Sequence, residues 1–183
     1  MEADFVIVGG GSAGCVLANR LSADGRHTVV LIEAGPRDGF LIRNCNPLNM
    51  LALMKSRTYN WGYSAEPQAR TGNRRFFWPR GRALGGSSSI NAMIYTRGHP
   101  SDYDQWAARG NPGWDYQSVL PYFRCSERQQ RGADAWHGAE GTMDVVDTNF
   151  RFPASSAFVQ ACGEAGLPLN NDMNGAQQEG CGF

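Results

Sequence analysis

A glycine-rich turn near the amino terminus defines the type of fold expected for this chain. The apolar, β-branched run from Phe5 to Val8 is too short for a helix and predicts a strand buried on both faces. It is followed by Gly9, Gly11 and Gly14, which have the spacing GxGxxG. In this spacing the first glycine permits a tight turn, the second lets the backbone approach a pyrophosphate, and the third allows close helix-on-strand packing. The segment therefore predicts a strand, a phosphate-binding turn and a helix.

The residues after this turn favour a dinucleotide-binding unit. Apolar residues recur at three and four positions over residues 12–22, which predicts a helix with its N-terminus at the turn. Free N–H groups and the helix dipole make such an end an anion site. A second strand is predicted over residues 28–32, and Glu33 at its end can accept hydrogen bonds from both ribose hydroxyls. The pattern predicts the adenosine half of NAD or FAD without distinguishing them; the alternative is a βαβ unit with an incidental acid.

Composition narrows the possible partners. The chain has 183 residues with 17 basic and 17 acidic side chains, which argues against nucleic acid as a partner. No apolar stretch approaches the roughly 18 residues of a membrane span. Glu2 and Asp4 stand where a signal peptide would carry Lys or Arg, so the expected location is the cytoplasm. The five cysteines are scattered and include no CxxC pair, so neither a disulfide framework nor a metal site is predicted.

A second glycine-rich segment follows at residues 79–98. Paired glycines and three serines at residues 85–89 supply N–H groups and hydroxyls that could hold another set of anionic or carbonyl oxygens. A helix or turn is expected to begin inside this segment. The residues alone leave open whether it binds a ligand or is a serine-rich loop without one.

Both glycine-rich segments resemble those of a known family. Residues 81–104 resemble the first signature of the glucose-methanol-choline (GMC) oxidoreductases of the choline dehydrogenase type, and residues 6–20 are similar to their N-terminal FAD fingerprint. Shorter similar pieces occur at residues 60–63, 101–106, 113–115, 137–141 and 174–180. The resemblance covers nearly the whole chain. It implies an α/β fold with a Rossmann-like FAD-binding domain over residues 1–141 and the start of an α+β substrate-binding domain over residues 142–183.

The resemblance also implies the cofactor and its site. Some family members tether the flavin through a histidine between the paired glycines and the following asparagine; here residues 87–90 contain none, so FAD is expected to bind non-covalently. Glu33 would bind the adenosine ribose. The residues assigned by similarity to the FAD site are Gly9, Gly11, Ser12, Ala13, Gly14, Glu33, Ala34, Trp61, Arg82, Gly86, Ser87, Asn91, Ala92 and Ile94.

The implied activity is oxidation of the CH–OH group of an alcohol by hydride transfer to flavin N5, with O2, a quinone or another carrier as electron acceptor. Family members are several times longer than this chain. The resemblance therefore implies that the catalytic histidine and its His or Asn partner lie beyond residue 183, in a missing C-terminal portion or a second chain. Two alternatives remain: a lyase or decarboxylase on the same scaffold, or a non-catalytic flavin-binding fragment or subunit.

The later part of the chain predicts scaffolding elements. Ser101 with Asp104 predicts a cap for a short helix through residue 108, and Asp115 predicts a cap for a second helix to about residue 127. A strand is expected over residues 142–146 and a helix over residues 153–166.

Overall fold

In the computed structural model, which describes residues 2–37 and 47–183, the chain begins with the predicted βαβ unit. Strand β1 (Phe5–Val8) leads into helix α1 (Ser12–Ser22), and strand β2 (Val29–Ile32) follows. The two strands are parallel and pair over 4 residues each. Helix α1 packs on both strands. The predicted order of strand, turn, helix and strand is confirmed.

The prediction that β1 is buried on both faces is wrong for this chain. Only Ile7 is buried, whereas Val6 is 58% and Val8 83% exposed. A strand of a parallel sheet is buried when neighbouring strands and helices on both faces cover it. Within the described residues this sheet contains β1 and β2 alone, so most of that cover is lacking.

The rest of the first unit surrounds the second glycine-rich segment. It contains helix α2 (Pro47–Lys55), and strands β3 (Tyr63–Ser64) and β4 (Phe77–Trp78) form an antiparallel pair. A 3-10 helix over Gly86–Ser89 lies within the serine-rich segment. The turn expected inside that segment is therefore present.

A second unit begins at Tyr95. It contains helices α3 (Pro100–Ala108), α4 (Tyr116–Ser126) and α5 (Pro153–Glu164) and two short parallel strands, β5 (Glu127–Gln129) and β6 (Met143–Val145). The first unit ends at Ile94. The boundary between a FAD-binding and a substrate-binding domain at residues 141 and 142 stays a prediction.

The sequence predicted a cap for each of α3 and α4, and the structure confirms only the cap of α4. Asp115 caps α4 as expected, because its Oδ1 accepts a hydrogen bond from the Ser118 N–H at 3.0 Å. Helix α3 is capped by His99 and Asp102 instead of Ser101 and Asp104. The His99 ring accepts from the Ser101 N–H, and Asp102 accepts from the His99 N–H at 2.9 Å.

Three observations concern the described residues as a set. Their helices include none that is long and apolar enough to cross a bilayer. They contain no cluster of His, Cys, Asp and Glu side chains suited to a metal ion. Their cysteines, Cys15, Cys125, Cys162 and Cys181, are free thiols, and Cys45 lies outside the described residues.

Candidate cofactor site

The first glycine turn has the geometry that its spacing predicts. The Gly9 N–H donates to the Ile32 carbonyl at 2.8 Å, so the turn starts directly at the end of the strand pairing. Gly9 has a φ of +100°, which an L side chain rarely adopts. A Cβ on Gly14 would lie 2.0 Å from the Gly9 carbonyl oxygen. The first glycine therefore makes the turn, and the third lets the helix pack against it.

Helix α1 presents backbone donors at this turn. Its N-cap residue is Gly11, which has no side chain to satisfy the first N–H groups, and its first turn contains no acidic residue. The N–H groups of a first helical turn have no intrahelical partner. Together with the helix dipole they form a site for a phosphate, so the residues present here fit the pyrophosphate of a dinucleotide. Ser12 and Ala13 belong to this first turn.

The two glycine-rich segments lie directly against each other. The Gly85 N–H donates to the Gly10 carbonyl at 2.6 Å, and Gly11 and Gly85 form a parallel bridge. A Cβ on Gly86 would lie 2.8 Å from the Gly11 Cα. A side chain at residue 86 would therefore collide with the backbone of the first turn. The sequence indicated two separate segments, and the structure brings them into contact.

Glu33 lies beside the same turn. Its Oε2 accepts from the Gly10 N–H at 2.7 Å, and its Oε1 accepts from the Gly35 N–H at 2.8 Å. Each carboxylate oxygen retains acceptor capacity, so the group can still receive two ribose hydroxyls. Ala34 follows it on the exposed surface. The carboxylate thus also orders the turn, a contact that sequence reasoning missed.

The three serine hydroxyls of the second segment are not equivalent. Ser88 Oγ donates to the Gly85 carbonyl at 2.6 Å, and Ser89 Oγ donates to the Leu84 carbonyl at 2.9 Å. Ser87 Oγ accepts from the Gly81 N–H at 3.1 Å, which leaves its own proton able to donate. The expected run of accessible hydroxyls is therefore reduced to Ser87.

The end of the second segment is exposed. Asn91 Oδ1 accepts from the Met93 N–H at 2.9 Å, and Met93 has a φ of +56°. Ile94 is 79% exposed, and Ala92 is also exposed. The assignment of Asn91, Ala92 and Ile94 to the FAD site stays a prediction.

Trp61 and Arg82 lie together, and the Arg82 carbonyl packs closely against Gly35, whose N–H donates to Glu33. The Arg82 guanidinium is 5.5 Å from the centre of the Trp61 ring, and its Nε donates to the Thr58 carbonyl at 3.2 Å. Both residues line an open pocket of about 600 Å³ together with Lys55 and Phe77. The pairing of a cation with an aromatic face stabilises this arrangement by about 0.5–1 kcal/mol.

Asn60 organises the backbone between these features, and sequence reasoning did not identify this role. It is 3% exposed, its Oδ1 accepts from the Gly62 and Arg80 N–H groups, each at 3.0 Å, and its Nδ2 donates to the Met54 carbonyl. Asn60 also forms an antiparallel bridge with Gly81. The available signal was an amide side chain two residues before Gly62 inside an aromatic stretch, a setting that favours side chain to backbone hydrogen bonds.

Together these features place the first unit in the class of dinucleotide-binding domains, in which the pyrophosphate lies at the helix N-terminus and the acid binds the ribose. The structure brings Gly9, Gly11, Gly14, Glu33, Gly86 and Ser87 into one region. Trp61 and Arg82 lie together, with the Arg82 backbone against Gly35. The assignment of Trp61, Arg82, Asn91, Ala92 and Ile94 to the FAD site stays a prediction.

The chain belongs to the GMC oxidoreductase family, whose sequence model matches residues 3–183. Mitochondrial choline dehydrogenase of Mus musculus is 46% identical over 190 aligned residues, which span 100% of this chain and 32% of that protein. The crystal structure of pyridoxine 4-oxidase from Mesorbium loti has a TM-score of 0.88 at 40% identity and covers 98% of this chain and 35% of that one. An FAD-dependent oxidoreductase from Chaetomium thermophilum has a TM-score of 0.81 at 35% identity, covering 98% of this chain and 32% of that one.

These comparisons confirm the resemblance and the fold class. The chain spans about a third of the length of the relatives it matches. It corresponds to the N-terminal domain of this family, for which FAD is the cofactor.

Proposed function

We propose that the full-length protein is an FAD-dependent oxidoreductase that oxidises the CH–OH group of a small alcohol. The observation that carries the proposal is the single site formed by the two glycine-rich segments, in a chain whose relatives include a choline dehydrogenase and a pyridoxine 4-oxidase. The electron acceptor is O2, a quinone or another carrier.

The residues of the first unit hold the cofactor in this proposal. The N–H groups of Ser12 and Ala13 bind the pyrophosphate at the N-terminus of α1. Glu33 accepts the ribose hydroxyls, and Ser87 donates its free proton from the opposite segment. FAD, when bound, supplies the acceptor for a hydride. The protein supplies binding, orientation and exclusion of water.

The proposed FAD is held without a covalent bond to this chain. The segment between Gly86 and Asn91 contains three serines and an isoleucine and no histidine. Acid precipitation of the purified holoprotein should therefore release yellow flavin into the supernatant. Flavin that stays in the precipitate would overturn this part of the proposal.

The catalytic base is proposed to lie outside the three histidines of this chain. His27 lies 3.8 Å from Asp24 on an exposed loop, His99 caps α3, and His137 is buried between two carboxylates. A general base must reach the hydroxyl proton of the substrate within hydrogen-bond distance. Each of these three histidines is engaged in the contacts just described, so none of them is proposed as the base.

The test uses the full-length protein purified with FAD. Choline, pyridoxine and a series of primary alcohols are offered in turn, with an artificial electron acceptor and with O2 alone. Reduction of the acceptor by one class of alcohol supports the proposal, and turnover with O2 identifies an oxidase. A protein that binds FAD yet reduces neither acceptor with any alcohol would favour a lyase, a decarboxylase or a non-catalytic subunit.

A further inference from the structure

The second unit contains a row of hydrogen-bonded side chains of alternating charge. The proposed function assigns them no role. Arg97 Nη2 donates to Glu127 Oε2 at 2.6 Å, and Glu127 Oε1 lies 2.9 Å from His137 Nδ1. On the other side of the ring, His137 Nε2 lies 2.9 Å from Asp172 Oδ2. The side chains of Arg97, Glu127 and His137 are at most 4% exposed, whereas that of Asp172 is 35% exposed.

The geometry of His137 favours a protonated ring. Both ring nitrogens face carboxylate oxygens, which can only accept hydrogen bonds. A neutral imidazole has one N–H and would direct the lone pair of its other nitrogen at a carboxylate. Burial acts to lower the pKa of His137, but the hydrogen bonds to Glu127 and Asp172 outweigh it and raise the pKa above its ordinary value.

Other charged groups surround this ring. Arg124 Nε of α4 donates to the His137 carbonyl at 3.4 Å, and Asp134 Oδ1 accepts from the His137 N–H at 2.7 Å. Arg131 Nη1 donates to the Asn171 carbonyl at 2.7 Å, next to Asp172. These two arginines and one aspartate contact backbone groups. Glu127 and Asp172 are the carboxylates that contact the ring itself.

The two carboxylates would respond differently to loss of the ring proton. Glu127 keeps Arg97, Gln129 Nε2 at 3.3 Å and the Gly138 N–H at 3.4 Å as partners. Asp172 Oδ2 contacts His137, and its Oδ1 accepts from the Asn174 N–H at 3.1 Å. Asp172 is also the more exposed of the two and can be rehydrated, so deprotonation would break the contact on its side.

The segment that carries Asp172 holds the first residues of the second unit in place. Asn174 Oδ1 accepts from the Arg97 N–H at 2.8 Å, and Asn174 Nδ2 donates to the Tyr95 carbonyl at 3.2 Å. Gln178 Nε2 donates to the Arg97 carbonyl at 2.6 Å. A contact between His137 and Asp172 therefore fixes a segment that in turn fixes residues 95–97.

We propose that His137 is a pH-sensitive latch: its protonated ring holds residues 170–178 against residues 95–97, and loss of the proton releases this segment. Because the pKa of His137 is raised on folding, the stabilisation is complete below the ordinary histidine value of about 6.5. It is lost as the pH rises through the raised value. The proposal does not depend on the alcohol oxidation proposed above.

Hydrogen exchange of the full-length holoprotein tests the latch directly. Mass spectrometry of peptides spanning residues 170–178 is carried out from about pH 6 to about pH 9, with rates corrected for the intrinsic pH dependence of exchange. In the wild type we expect protection to fall about tenfold as pH rises, the effect of losing one charge-assisted hydrogen bond. In His137→Gln we expect low protection that does not change with pH.

A second variant separates the latch from general loss of structure. In Asp172→Asn the side-chain amide can donate to a neutral imidazole, so protection should persist at high pH and the fall should disappear. His27→Gln and Asp144→Asn are matched controls on exposed ion pairs and should keep the wild-type profile.

Two results would overturn the proposal. One is wild-type protection of residues 170–178 that does not depend on pH after correction. The other comes from a nuclear magnetic resonance titration of the folded wild type, in which the His137 ring signal is identified by its absence from His137→Gln spectra. A His137 signal that titrates with the ordinary histidine pKa would contradict the latch. If His137→Gln fails to fold, Asp172→Asn decides through its exchange profile alone.

Discussion

At the scale of single residues, Glu33 carries two tasks with one carboxylate. It accepts the Gly10 and Gly35 N–H groups, and it retains acceptor capacity for a ribose. These two roles support each other, because the contact to Gly10 places the acid beside the turn that we propose binds the pyrophosphate. A substitution at this position therefore affects both the loop and the ligand.

We expect Glu33→Ala to weaken FAD binding by about 1–3 kcal/mol, up to roughly a hundredfold, because two ribose hydroxyls lose their acceptor. Titration of the apoprotein with FAD measures the effect. Glu33→Gln keeps one carbonyl acceptor and should fall between the wild type and Glu33→Ala. Glu66→Ala is the control, because it removes an acidic side chain that is 82% exposed. Unchanged affinity in Glu33→Ala would remove Glu33 from the site.

Substitutions at two glycines of the same turn distinguish an effect on folding from an effect on FAD binding. A Cβ on Gly11 meets no atom closer than 4.0 Å, whereas a Cβ on Gly14 lies 2.0 Å from the Gly9 carbonyl oxygen. Gly11→Ala should therefore keep the melting temperature nearly unchanged and lower FAD affinity at least about tenfold, because the methyl group occupies the place of the pyrophosphate. Gly14→Ala should lower the melting temperature of the apoprotein. A Gly11→Ala protein with wild-type affinity would contradict the phosphate site.

At the scale of elements, the sequence predicted the helices, strands and caps that depend on interactions between residues close in sequence. The spacing of apolar residues predicted α1, the short apolar run predicted β1, and Asp115 predicted the cap of α4, because these features depend on residues close in sequence. Burial of β1 was not predictable, since it depends on elements distant in the chain.

The second glycine-rich segment shows where such prediction ends. Its composition indicated many free hydroxyls, but Ser88 and Ser89 bond to carbonyls of their own turn. That turn contains Gly85 and Gly86 with φ values of +93° and +58°, a geometry that residue types alone do not specify. The crossing of the two segments also requires contacts far apart in sequence, and composition contains no signal for it.

The cap of α4 provides a test at this scale. The Ser118 hydroxyl and N–H groups lower the pKa of Asp115 by hydrogen bonding to its charged form. The stabilisation is therefore present above the ordinary aspartate pKa and is lost as pH falls through the lowered folded value. Asp115→Ala should lower the melting temperature at neutral pH, and the difference should shrink in acid. Asp115→Asn, which can still cap, should resemble the wild type at neutral pH; equal losses in both variants would contradict the cap.

At the scale of the whole molecule, both units expose apolar side chains. Val8 is 83% exposed in the first unit, and Phe152 and Phe158 are 65% and 66% exposed in the second. Phe152 and Phe158 lie together along one pocket, and an exposed apolar patch of this kind marks a face that another part of a protein covers. The relatives are about three times longer than this chain, which provides a source for such cover.

A polypeptide of residues 1–183 alone is expected to oxidise no alcohol, even with FAD added, and to be poorly soluble. Hydride transfer requires a substrate carbon held at the flavin and a base within reach of the hydroxyl. The measurement is reduction of an artificial acceptor by this polypeptide, with and without a separately produced C-terminal part. Activity on recombination alone would support a divided site, whereas turnover by residues 1–183 would show that the base lies within them.

The most direct test of the proposed function is anaerobic mixing of the full-length holoprotein with each alcohol while the visible flavin absorbance is followed. We predict that the band bleaches with at least one small alcohol, choline being the first to test, and returns when O2 or another acceptor is admitted. Gly11→Ala, which should lack bound flavin at the same FAD concentration, is the matched negative. A holoprotein whose flavin stays oxidised with every alcohol would contradict the assignment of alcohol oxidation.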